Sequence, residues 1–500
     1  MHSLRYFSKF FLYWHTLRYL KFIQFYRRFW FMYYKPKLKF LKSEPLRDGL
    51  HSWKVPISKT ASLVGPNSFN FLNYTHTLPE KDGWDDPLLP KLWVYNLHYF
   101  DDLCAEDRDS KKHFHQQLMH RWVLENQTSE KVGWDPYPTS LRIINWIKWG
   151  LSGNELSLTC LESLCNQVRW LMQRLEWHLL GNHLFTNAKA LVFAGVFFKG
   201  NESEKWLKKG LSIIHQQLSE QILTDGGHFE LSPMYHAIFL EDVLDLINIL
   251  LVLDNKDTDD SLKLLKSQVN PMLNWLSGMT HPDGDISFFN DAALKIAPKL
   301  KDIIEYISRL EINHQQPPLS IDSDPFVNSE IDIKIFQESG YIRLESAFAV
   351  AFLDVATIGP DYLPGHAHAD TLSFELSLFN ERVIVNSGTF CYQDGKERHQ
   401  LRQTSAHSTV EINNESSSEV WGSFRVARRA YPFDLSIKKT SNDIVVSCSH
   451  NGYKRLQGKP IHHRCWKMSK YKLQIEDDVN GNLSAISKYI LHPTVQCFQI

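Results

Sequence analysis

The hydrophobic period of this sequence changes once, and that change limits the folds open to it. From about residue 96 to 313, apolar residues recur every three to four positions. They fall in segments near 110–126, 139–151, 155–179, 183–198, 203–222, 233–253, 262–279 and 298–313, separated by short breakers. In "TSLRIINWIKWGL", for example, Leu141, Ile144, Ile147 and Leu151 form one stripe, and Thr139 or Ser140 can cap it. Beyond residue 340 the segments are short, alternate with a period of two and end in turn residues: "GYIRLE", "AVAFLDV", "TLSFELSLF", "RVIVNSG", "STVEIN", "DIVVSCS", "YKLQIEDDV". Successive helices with short connections predict antiparallel helical hairpins, and the strands predict an antiparallel β-domain of sandwich type. Periodicity alone does not say whether the hairpins form a ring.

A chain of 500 residues exceeds one ordinary core, so two main domains are expected. Residues 96–313 are read as the helical domain, 314–339 ("HQQPPLSIDSDPF" onward) as a linker and 340–500 as the β-domain. Residues 43–95, with six prolines, read as a loop-rich lead-in. The formal net charge of −1 gives no nucleic-acid signal. Seven cysteines with no CxxC suggest neither a disulfide framework nor a thiolate zinc site. Residues 1–42 hold ten Lys or Arg and no acidic residue, and basic residues break every apolar run. They read as one or two basic amphipathic helices, docked on the main domain or attached peripherally to an anionic membrane surface. They show neither the apolar core of a signal peptide nor a membrane span. The final "LHPTVQCFQI" still has strand character, so either the last sheet is compact or a C-terminal portion is missing.

Three stretches carry groups suited to chemistry. In "GNHLFTNAKALVFAG", Asn182 and His183 open an otherwise apolar helix; Asn182 as a plain N-cap is the alternative. In "DGGHFELSPMYHAIFLEDVLDL", Pro233 begins a helix and Tyr235 falls in its first turn, where the helix dipole would lower its pKa. In "LPGHAHADTLSFEL", His366 and His368 lie one residue apart before an alternating run, so both imidazoles can share a face of an extended backbone. Asn386 and His407 lie near later strand edges.

Together with "NLHYFDDL", "PYPTSLRIINWIKW" and "AHSTVEINNESSSEVWGSFRVARRA", these stretches resemble the heparinase II/III-like polysaccharide lyases over most of the chain. The resemblance implies an α/α toroid followed by an antiparallel β-sandwich, and β-elimination on a uronic-acid-containing glycan. It assigns the uronate carboxylate to Asn182 and His183, and the proton transfers to Tyr235 and His366. Arg402 and Arg425, with Arg428 and Arg429, become candidate contacts to the anionic chain, and Trp134 and Tyr137 candidate sugar contacts.

In several members a structural zinc is held by residues matching His368, Asn386 and His407. An aspartate stands in those members where this chain has Asn386, a poorer zinc ligand, so the metal is expected only if Asp370 or another group substitutes. The elimination itself needs no cofactor. A uronyl C5-epimerase uses the same first step, and a non-catalytic glycan-binding protein of bacterial capsule or surface-polysaccharide production is a third reading. The resemblance points to the bacterial envelope or periplasm, whereas the N-terminus fits a cytoplasmic or inner-membrane-associated protein. The sequence does not set an oligomeric state.

Overall fold

The computed structural model describes residues 2–496 except His51, Asp254, 315–330 and Asn482. Two helices open the chain, α1 (His2–Leu17) and α2 (Phe22–Tyr33). The lead-in contains a small antiparallel sheet, β1 (Leu63–Gly65), β2 (Ser68–Phe71) and β3 (Tyr74–Thr77). It then enters a helix that the proline-rich reading passed over, α3 (Lys91–Tyr99), with Pro90 as its N-cap.

The helical half continues with α4 (Lys112–Glu125), α5 (Pro136–Leu151), α6 (Leu158–Leu171) and α7 (Gly181–Phe197). It is completed by α8 (Asn201–Gln221), α9 (Pro233–Leu253), α10 (Asp259–Gly278) and α11 (Leu300–Arg309). Helices α5, α7 and α9 pack side by side, with α8 and α10 against the backs of α7 and α9. From Leu184 to Phe197 every residue of α7 is buried, and its polar members are paired inside, Asn187 with Glu176 and Ser140 and Lys189 with Asp242 and Asp245. This is the layered arrangement of an α/α toroid.

The first large sheet is an antiparallel meander: β4 (Asp332–Phe336), β5 (Tyr341–Glu345), β6 (Ala349–Asp354), β7 (Phe374–Leu378) and β8 (Glu381–Ile384). After it come α12 (Lys396–Arg402) and the short strands β9 (Val410–Ile412), β10 (Val420–Trp421) and β11 (Arg425–Val426). The second sheet is β12 (Pro432–Lys439), β13 (Asp443–His450), β14 (His462–Ser469) and β15 (Lys472–Val479), and a final β16 (Ala485–Ser487) pairs with β9. Ile342, Leu344, Ala351, Leu353, Phe374 and Leu376 meet Val446, Trp466 and Met468 between the sheets, so the β half is a sandwich. Most of the expected linker, 315–330, lies outside the described residues, and strand structure begins at Asp332 rather than 340.

The run after the histidine doublet is not the half-buried strand its alternation predicts. Strand β7 starts only at Phe374, and residues 374–377 are buried on both faces. The polar face meets the helical half: His281 Nε2 bonds Glu375 Oε2 at 2.8 Å and its Nδ1 bonds Ser377 Oγ at 2.7 Å. Tyr341, Val350 and Phe352 on the same side pack on Trp275 and Met279 of the α10 region. A sheet packed on both faces fixes the loops at its edge against the helical half.

Candidate active site

Where the two halves meet, Tyr235 and His366 lie against each other with ring centroids 3.9 Å apart. Tyr235 is the third residue of α9, and its backbone N–H donates to Ser232 Oγ, which caps the helix. Ser232 Oγ donates in turn to the carbonyl of Asp291 at 2.6 Å, tying the start of α9 to the loop behind the histidines. The Tyr235 hydroxyl lies 3.0 Å from that of Tyr392.

Asp291 is the centre of this region, and the sequence reading missed it. His366 Nδ1–H donates to its Oδ2 at 2.9 Å and His368 Nε2–H to its Oδ1 at 2.8 Å. Arg398 binds both carboxylate oxygens, one at 2.7 Å. Both imidazoles of the doublet therefore converge on one carboxylate. Burial opposes charge on Asp291, but the two imidazoles and the guanidinium outweigh it and hold the carboxyl well below the usual range. With Nδ1 protonated, His366 presents Nε2 towards the junction, 3.7 Å from Glu230 Oε2.

On the helical side the chain makes a tight entry into α7: Leu180 and Gly181 both have positive φ, 64° and 54°. A side chain at Gly181 would strike Leu363 Cδ2 at 2.4 Å, and the same position is 3.1 Å from Glu230 Oε1, so only glycine lets this turn approach. Asn182 is not the N-cap; Leu180 holds that position, and the Asn182 amide has no hydrogen-bond partner among the described residues. His183 Nδ1–H donates to Glu176 Oε1 at 3.2 Å, and its ring lies 4.6 Å from that of Tyr137. Burial works against the imidazolium, yet the Glu176 charge and hydrogen bond prevail and raise the His183 pKa. The His183 side chain is 34% exposed and that of His366 16%, while Glu230 and Asp291 lie buried behind them.

Tyr235 differs from its expected electrostatics. Burial, Tyr392 and Asp291 together push its pKa well above the ordinary value, overriding any lowering by the helix dipole. Glu230 is also driven up, mainly by burial.

Two expected sugar or glycan contacts are structural instead. Trp134 is buried between Trp122 and Trp170, with its indole N–H on the Asn126 carbonyl. Arg402 is fully buried and donates to the carbonyls of Ala367, Gly422 and Arg425, clamping loops rather than facing a ligand. Arg425 is exposed over Trp421 at 4.8 Å, with no carboxylate partner among the described residues. Arg428 pairs with Glu419 and Arg429 with Asp361.

The expected metal ligands come together, but not as a ligand set. The rings of His368 and His407 are 5.2 Å apart, and His368 Nδ1 and His407 Nε2 are buried without partners. His407 Nδ1–H donates to Asn386 Oδ1 at 3.1 Å, which places the amide behind that ring instead of beside its free nitrogen. Among the described residues no group of three or more His, Cys, Asp or Glu could hold a metal ion. Two imidazoles fall short of the donors a structural zinc takes, so the residues do not fit it.

Comparison with known proteins agrees with this architecture. Residues 107–311 match the model of the heparinase II/III N-terminus, and residues 330–499 that of the heparinase II/III-like C-terminal region. The chain belongs to the heparinase II/III-like family. Over 256 residues it is 28% identical to a heparin-sulfate lyase of Bacteroides stercoris, covering 48% of this chain and 38% of that protein. A heparin-sulfate lyase of Pedobacter heparinus is 26% identical over 250 residues, 47% of this chain and 36% of the relative. The chain thus spans well under half the length of these curated relatives in alignment. A crystal structure of heparinase III superposes with a TM-score of 0.62 at 19% identity, covering 81% of this chain and 66% of that one, which supports the shared fold. Glu176, Asp291, Tyr392 and Arg398 are the members of the site that local pattern did not reveal.

Proposed function

We propose that this family member is a polysaccharide lyase that cleaves a uronic-acid-containing glycan by β-elimination. The observation that carries this reading is the contact between Tyr235 and His366 across the junction, with Asn182 and His183 entering beside Glu230. Removing the C5 proton of a uronate builds an enolate-like dianion, which needs donors that strengthen as the charge grows. An Asn182 amide without an internal partner and a His183 held towards its cationic form suit that task. His366, oriented through Nδ1 by Asp291, has Nε2 free to take the proton. Tyr235, kept a phenol by its surroundings, suits protonation of the departing O4.

The substrate class is an anionic, glycosaminoglycan-like polymer, with Arg425 and Tyr137 as outer contacts. The matched relatives named as heparin-sulfate lyases support that class. In this reading the cross-link of Asp291, Arg398 and the two histidines braces the site.

Incubation with a panel of uronate polysaccharides tests the proposal. Ultraviolet absorbance from a 4,5-unsaturated product is expected, with Tyr235→Phe lowering kcat/KM by about 10²–10⁴-fold. C5 inversion without unsaturation would make the protein an epimerase. Glycan binding with no turnover, unchanged by Tyr235→Phe, would make it a binding protein.

A further inference from the structure

The N-terminal helices present a second surface that the site does not use. α1 lies on the β half, where the Trp421 indole N–H donates to Thr16 Oγ1 at 3.0 Å and Tyr13 meets Trp421 edge to face with ring centroids 4.9 Å apart. α2 lies on the helical half, where Phe31 packs on His178 at 4.1 Å and the Tyr34 hydroxyl donates to Gln173 Oε1 at 2.9 Å. These contacts use one side of each helix. The other side of α2 carries Phe22, Phe25, Phe29 and Met32 at helical spacing, with Trp30 and Tyr33 beside them. Phe22 is 80% exposed, Phe29 62% and Trp30 54%, and none of the described residues covers them.

Arg18, Arg28, Lys35, Lys37, Lys39 and Lys42, in these helices and the segment that follows them, are exposed, with no carboxylate partner among the described residues. Residues 1–42 contain no Asp or Glu at all. Among the described residues no helix is long and apolar enough to cross a membrane.

From this charge pattern we infer that α1 and α2 form an interfacial docking surface for an anionic lipid bilayer. A row of exposed aromatic rings suits burial at the headgroup boundary, and the exposed cations of the same segment suit acidic headgroups. Because the two helices grip both halves, docking would hold the junction in one orientation to the membrane.

Co-sedimentation of the full chain with phosphatidylcholine vesicles, with and without phosphatidylglycerol, tests the inference. Binding is expected only when phosphatidylglycerol is present, and it should weaken with added salt. Phe29→Glu combined with Trp30→Glu should reduce binding by about tenfold or more, while the unfolding transition and the turnover of soluble glycan stay unchanged. Arg28→Glu with Lys39→Glu, which leaves the aromatic row intact, should also weaken binding. Three results would overturn the inference: equal binding to both vesicle types, no vesicle binding, or a self-association abolished by the same substitutions. Loss of vesicle binding to a competing uronate polymer that itself requires Phe29 and Trp30 would overturn it too.

Discussion

The two sides of the junction each pair a carboxylate with an imidazole, but they build the pair differently. On the helical side Glu176 faces His183 seven residues away, and among the described residues no Lys or Arg pairs with it. Its charge therefore raises the His183 pKa and favours an imidazolium. On the β side His366, His368 and Arg398 meet Asp291, which comes from the loop between α10 and α11 of the helical half, across 75, 77 and 107 residues of sequence. There a guanidinium takes up the carboxylate's charge, and the aspartate acts mainly as an anchor for two rings. One arrangement tunes charge and the other fixes position. An eliminase needs both, the first at the substrate carboxylate and the second at the proton in flight.

The largest expected effect comes from removing the anchor. Asp291→Asn leaves Arg398 buried without its counter-ion, and should cost about 3–5 kcal/mol in urea unfolding. If the two carboxylates played equivalent parts, Glu176→Gln would cost as much. Glu176→Gln should instead act mainly on charge. His183 has a raised pKa when folded, so the stability and the imidazolium it supplies are present below the unfolded value of about 6.5 and lost as pH rises through the folded value. Without Glu176 the alkaline limb of the kcat/KM profile should move to lower pH, with less activity on that limb. An unshifted limb would remove the distinction between the two sides. The smallest effect is expected from a chelator, which should leave both unfolding and turnover unchanged. Asn386→Asp should likewise leave bound zinc, measured by elemental analysis, unchanged, because its carboxylate would lie behind the His407 ring and away from the free nitrogen.

The helical half was largely legible because its signal is local. The 3.6-residue stripes locate α5 and α7 to α10 closely, and Pro233 marks the first residue of α9. Helix α3 escaped because Pro87 and Pro90 read as loop, although proline is well accepted at a helix start. The motifs carrying Asn182, Tyr235 and His366 were visible as residue types, and the fold brings them to one junction. Asp291 was not visible, since nothing within "FFNDAAL" marks it and all its partners are distant. Trp134 and Arg402 show the converse error: aromatic and cationic side chains suggest ligand contact, but burial by remote segments decides what they touch. The same holds for Tyr235, whose pKa is set by Tyr392 and Asp291 and by burial, none of which its own helix turn discloses.

A double-mutant cycle on His183→Ala and His366→Ala, read as kcat/KM on a cleavable uronate glycan, tests most directly whether both sides act on one sugar. Two groups serving the same transition state should give a combined loss well short of the product of the single losses. Strictly multiplicative losses, or full activity in either single variant, would contradict the account.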